Sequence, residues 1–146
     1  MKKNIAQYIN RLEGFKTAIK NLHWNAKKMS EHEFMDNLED ILSNHQDDVA
    51  EIAQGVYGIK ITNNELQPKA YKITSQKKTL QDILNQAELF YQTIQNNKRY
   101  IGLRSKVEEF LAELNKQAYL LDMCLAEARI RQAIREGILK YGTLIN

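Results

Sequence analysis

The chain has little that breaks a helix: one proline, Pro68, and six glycines in 146 residues. That scarcity excludes a fold of many short strands and tight turns and favours long helices. A single cysteine, Cys124, rules out an intrachain disulfide, so a reducing, cytoplasmic setting is expected. No apolar run approaches the length of a membrane span, and the lysine-rich start lacks the apolar core of a signal peptide, so no membrane partner is expected. Charge is nearly balanced, at a net +3, which permits contact with nucleic acid without arguing for it. Phosphate loops, nucleophile elbows and cysteine-based zinc motifs are missing. What remains is an ordinary globular composition, 43% hydrophobic and 27% charged, of a length suited to one domain with a real core.

Apolar residues recur at helical steps in four segments. The first spans about 4–26, with Ile5, Ile9, Leu12, Phe15, Ile19 and Leu22 on one stripe. The second opens at Ser30, where Ser30 and Glu33 have the spacing of a capping box. Its stripe runs through Phe34, Leu38, Ile41, Leu42, Val49, Ile52 and Val56, and it ends near Gly55 to Gly58. Residues 58–75 hold the only proline and read as a long connection with one short helix around 66–71. The third helix covers about 75–97. The fourth starts near Leu103 and continues through Val107, Phe110, Leu114, Ala118, Leu121 and Leu125, with Cys124 beside the stripe as core filling. Four helices with one long connection between the second and third form an all-α four-helix bundle, the arrangement that separates ferritin-like topology from a simple up-down bundle. The expected domain is 1–146, with a core bundle over about 4–127 and a basic helical extension over 128–146.

All three histidines fall between His23 and His45, among many carboxylates. With His32 at zero on a helical wheel, Asp36 falls at about 40°, Asp47 at about 60° and Glu51 at about 100°, while the apolar stripe spans about 180° to 280°. The four share a face that points away from the core. His23 ends the first helix, across the turn "NAKKMS", and can approach the start of the second. Histidine nitrogen with carboxylate oxygen suits iron or manganese, with zinc possible. His32 and Asp47 are fifteen residues apart, about 22 Å of helix rise, so they cannot share an ion within one chain. If they bind metal together, a second chain must bring its carboxylate end to this histidine end, and an antiparallel two-fold dimer does so twice. On spacing alone, a solvated acidic face is the simpler reading.

The stretch "KNLHWNAK", Lys20 to Lys27, resembles the end of the first helix in Dps-like mini-ferritins, which carry His-Trp-Asn-x-Lys there. His32, Asp36, Asp47 and Glu51 fall on the intervals of that family's second helix, and "DDVAE" is similar to its Asp-x-Ile-Ala-Glu. In the fourth helix "EEFLAELNKQAYLLDM" is similar to a Glu-Lys-Gln-x-Trp-Met-Leu run, with Tyr119 in the tryptophan position. The resemblance covers about 15–127. It implies a ferritin-like bundle and a ferroxidase centre at a two-fold interface, with His23, His32 and Asp36 from one subunit and Asp47 and Glu51 from the other. It also implies Fe(II) oxidation, preferably by hydrogen peroxide, iron storage in a hollow dodecamer and, in many members, DNA binding. The chain departs from the family in a shorter turn between His23 and His32, in Lys28 where glycine is common, in a short 58–75 connection and in the lack of an acidic pore lining around 98–106.

Two alternatives stay open beside a ferroxidase: a DNA-compacting oligomer, and a structural subunit of a larger assembly with an inactive site. His45 falls at about 220° on the same wheel, on the apolar side, and reads as a core histidine. Trp24 is either packing or, on the family reading, a quencher of oxidising intermediates. Arg129, Arg131, Arg135 and Lys140, with Ile130, Ile134 and Ile138, make the C-terminal extension basic and amphipathic. With Lys2 and Lys3 it could contact phosphate. Glu136 interrupts it and there is no dense basic tail, so packing on a bundle is the simpler reading.

Overall fold

The computed structural model describes residues 1–137. Among these, four long helices form an all-α bundle with no strand: α1 (Lys2–Trp24), α2 (Met29–Tyr57), α3 (Gln76–Thr93) and α4 (Ile101–Arg135). Two single turns of 3-10 helix lie at Asn63–Glu65 and Lys98–Tyr100. The short helix expected around 66–71 is therefore this earlier turn. No helix among the described residues is long and apolar enough to cross a membrane.

Each helix buries one stripe, as the periodicity predicts. Ile5, Leu12 and Ile19 of α1, Leu38, Leu42 and Val49 of α2, Leu80 and Ile83 of α3 and Leu103, Val107 and Leu114 of α4 are almost wholly enclosed. Every such aliphatic side chain contributes about 1.5–3 kcal/mol by leaving water. Val56, expected on the core stripe, is 64% exposed: beyond Ala53, the last buried residue of α2, it is Tyr57 that packs inward, against Tyr100. Gly58 ends α2 in the left-handed region (φ 65°), and Ile59 N–H donates back to the Ala53 carbonyl at 2.9 Å. Ser75 caps α3 by accepting from the Lys78 amide.

The start of α2 differs from expectation. The helix opens at Met29, with Lys28 extended at the cap and no side-chain cap bond. Ser30 is already inside the helix, so no Ser30–Glu33 capping box forms. The turn leaves α2 one residue earlier than the polar signal suggests.

α1 packs on α2 and α3, and α4 packs on the other side of the same two helices. The contacts fix directions. Lys20 pairs with Glu39 and Lys16 with Gln46, so α1 and α2 are antiparallel. Arg11 meets Gln86 and Tyr8 stacks on Phe90, so α1 and α3 are antiparallel as well. α2 and α3 are thus parallel, and residues 58–75 must travel the length of the bundle. They do so along α1. Lys2 pairs with Glu65 (3.2 Å), Asn10 Nδ2 donates to the Glu65 carbonyl (2.9 Å), Lys69 N–H donates to the Asn10 carbonyl (3.0 Å), and Tyr71 packs on Phe15.

Gly14 is where the crossover touches α1 most closely. A Cβ there would stand 1.7 Å from the Lys69 carbonyl oxygen. Gly55, also in a helix, has nothing within 4 Å of the same position. Glycine to alanine within a helix normally gains about 0.5–1 kcal/mol. Gly55→Ala is therefore expected to raise stability by about that amount, whereas Gly14→Ala forces backbone apart and is expected to lower it by about 1–3 kcal/mol. Urea unfolding of the two variants checks this; equal gains would mean that the crossover does not lie on α1.

Candidate metal centre

The shortened turn still brings the two histidines together. Their rings face each other with centroids 3.8 Å apart and planes tilted by 30°. His23 Nδ1 lies 2.9 Å from the His32 carbonyl oxygen, and His32 Nδ1 lies 3.1 Å from the His23 carbonyl oxygen. A carbonyl only accepts, so each Nδ1 carries the proton and donates. In the neutral ring this leaves the lone pair on Nε2, the atom that a metal takes. Both rings are half-buried, which limits their freedom, and each is held by the backbone of the other helix. The backbone carbonyls are the part of the site that side-chain spacing could not reveal.

The carboxylates are placed as the wheel predicts. Asp36, Asp47 and Glu51 are all exposed, on the outward face of α2. Asp47 borders a cleft between α1, α2 and the crossover, with Glu13, Gln46 and Pro68. That cleft lies toward the far end of α2 from the histidines. Among the described residues no group of three or more His, Cys, Asp and Glu side chains is placed to hold an ion. Asp36, one turn after His32, does not complete a cluster with the histidine pair. One chain thus presents two nitrogens at one end of α2 and two carboxylates at the other.

The charge of α2 is one-sided. It carries eight acids, namely Glu31, Glu33, Asp36, Glu39, Asp40, Asp47, Asp48 and Glu51, and no lysine or arginine. Lys20 of α1 pairs with Glu39, and Lys106 of α4 with Asp48. Asp36, Asp47 and Glu51 take no salt bridge among the described residues, so this face favours a cation brought from outside. Trp24 is 72% exposed and Met29 69% exposed, both beside the histidine pair. Trp24 therefore does no packing inside this bundle.

Comparison with protein-family models, with curated proteins and with solved structures returns no match. The site rests on its own geometry.

His45 has the opposite character to the pair. It is buried, its ring stacks on Phe110 at 3.8 Å, and its Nε2 lies 2.7 Å from the Tyr8 hydroxyl. Burial lowers its pKa from 6.5 to about 3 and raises that of Tyr8 well above the usual value. Both groups stay neutral, which makes His45 a satisfied core polar residue and not a ligand. Its depressed pKa has a consequence for stability. Between about pH 3 and 6.5 the unfolded chain binds a proton at His45 that the folded chain does not. Stability from this group is complete above pH 6.5 and falls by about 1.4 kcal/mol per unit as pH drops through that window. In His45→Gln this part of the slope is expected to vanish, measured by urea unfolding between pH 4 and 7; an unchanged slope would mean that His45 is charged in the folded protein.

Proposed function

We propose that the protein is a Dps-like, ferritin-like ferroxidase whose site is completed by a second copy of the chain. The observation that supports this most is the reciprocal clasp of His23 and His32, which presents two imidazole Nε2 atoms at one end of an acidic helix. Fe(II), the substrate, would bind between these nitrogens and Asp47 and Glu51 of the partner subunit, with Asp36 as a further ligand or as a group that orients one. Two nitrogens with two or three carboxylates suit Fe(II), and also Mn(II) or Zn(II). An antiparallel two-fold pairing of α2 repeats the site and buries Trp24 and Met29 beside it. It also sets acidic faces against each other, a repulsion that bound cations relieve.

The chemistry needs little from the protein beyond position and charge. Two ferrous ions each give one electron to hydrogen peroxide, which takes up two protons and leaves as two waters. Carboxylates favour the ferric product, because their attraction grows with the charge of the ion. Trp24, close by, is suited to intercept a stray oxidant. Neutral imidazoles and ionised carboxylates are required, so activity falls at acid pH. The consequence is removal of the ingredients of hydroxyl-radical chemistry. Storage of the oxidised iron would need a closed assembly such as a dodecamer.

Addition of Fe(II) without oxygen, followed by peroxide and by ferric absorbance, tests the reading. The double variant Asp47→Ala with Glu51→Ala is expected to lower the initial rate at least about tenfold, the scale expected for removal of transition-state charge stabilisation. Coincident curves for variant and native chain would refute the ferroxidase and leave a structural subunit as the better account.

A further inference from the structure

A second surface, distinct from the histidine site, lies between α2 and α4. There the helices part to leave an open groove of about 640 Å³. Phe34, Ile41, Leu120 and Met123 supply its apolar lining. Glu33, Asp40, Glu113 and Glu127 also line it, against one lysine, Lys116, so the groove is acidic. Asp122 of α4 pairs with Lys77 at the start of α3, and among the described side chains Leu121 is the last buried one of α4. The helix nevertheless continues without a break to Arg135. Residues 128–135 thus project past the start of α3, over about 12 Å of helix rise.

That projecting segment is amphipathic and basic. Ile130 and Ile134 are 44% and 43% exposed, and Arg129, Arg131 and Arg135 are exposed too. With Leu120 at zero on the α4 wheel, the groove-lining residues Glu113, Lys116, Gln117, Met123, Cys124 and Glu127 span about −60° to about +60°. Arg131 falls at about 20°, Ile134 at about −40°, Arg135 at about 60° and Ile130 at about −80°. One stripe of α4 is therefore apolar and acidic in its groove-lining half and apolar and basic in its projecting half. Glu113 stands eleven residues before Cys124 and Arg135 eleven after it. Two copies of α4 laid antiparallel about a two-fold axis near Cys124 bring Arg135 of each against Glu113 of the other.

We propose that the groove between α2 and α4 is a self-association surface that receives residues 128–135 of a second copy of this chain. Ile130 and Ile134 enter over Phe34, Ile41 and Leu120, and Arg131 and Arg135 meet the acidic walls. The contact is isologous, so each chain gives a helix and receives one. It does not depend on metal, and it lies on the α4 side of α2 while the histidine pair lies on the α1 side. Both contacts together would join chains into assemblies larger than a dimer.

The test uses the full chain in a chelator, which removes any metal-bridged contact, and reads self-association by sedimentation equilibrium. The native chain is expected to dimerise. Reversing the helix charges (Arg131→Glu, Arg135→Glu) or the groove charges (Glu33→Lys, Glu113→Lys) is expected to weaken association at least about tenfold, because each variant then opposes like charges. Glu33, Arg131 and Arg135 are exposed, while Glu113 is half-buried and accepts from Gln117, so circular dichroism of both variants checks that each still folds as the native chain does. Mixing the two variants restores opposite charges in both halves of the contact, and a mixed dimer of near-native affinity is expected. A native chain that stays monomeric in chelator, reversals that leave association unchanged, or a mixture that associates no better than its components would each overturn the proposal.

Discussion

Two imidazoles, each giving its Nδ1 proton to the backbone carbonyl of the other's residue, set what this molecule can do. The clasp ties the last turn of α1 to the first turn of α2 across four intervening residues, Asn25 to Lys28. It fixes the tautomer of both rings when neutral and so leaves the lone pair of each on Nε2. Backbone acceptors are well suited to this, because they cannot rotate away as a side chain can. The geometry of the bundle supplies the rest. Because α2 and α3 run parallel, the crossover must lie along α1, and it holds that helix through Asn10, Gly14 and Phe15. α1 is thereby held on one side by the crossover and on another by α2.

The acidic character of α2 has two destinations. Its α4-facing flank lines an acidic groove, which a basic helix can fill. Its outward face carries Asp36, Asp47 and Glu51, which take no salt bridge among the described residues. We propose that a second copy of the chain covers both surfaces. Of the eight acids of α2, Glu39 and Asp48 are paired with Lys20 and Lys106, and like charges left at close spacing on one face repel.

Much of this was legible in the sequence, and the failures have physical causes. Helical period placed the core stripes, put Asp36, Asp47 and Glu51 outside and His45 inside, because burial follows the pattern of apolar residues every three or four positions. Turn chemistry was less reliable. Ser30 and Glu33 have the letters of a capping box, yet the chain enters the helix before Ser30, and Lys28 takes the cap position without a side-chain cap hydrogen bond. Cys124, expected as core filling, is half-buried and lines the groove, where burial and the Glu127 and Glu31 carboxylates push its thiol pKa up. No pattern of letters announced that Gly14 must accept the Lys69 carbonyl, since that contact joins segments far apart in the chain. Nor could spacing show the histidine clasp, whose acceptors are backbone atoms. Residues 138–146, including Lys140 and Ile138 of the expected basic extension, lie outside the described residues.

The central claim is that one site draws its histidines from one chain and its carboxylates from another. Subunit mixing tests it most directly. A chain with His23→Ala and His32→Ala and a chain with Asp47→Ala and Glu51→Ala are each inactive on this account. When they are unfolded, combined in equal amounts and refolded, half of the two-fold pairs are mixed. Each mixed pair has one site that lacks both histidines, Asp47 and Glu51 and one site that is wholly native, so about a quarter of native Fe(II) oxidation should return. A mixture that is no more active than its separate components would contradict a site shared between chains.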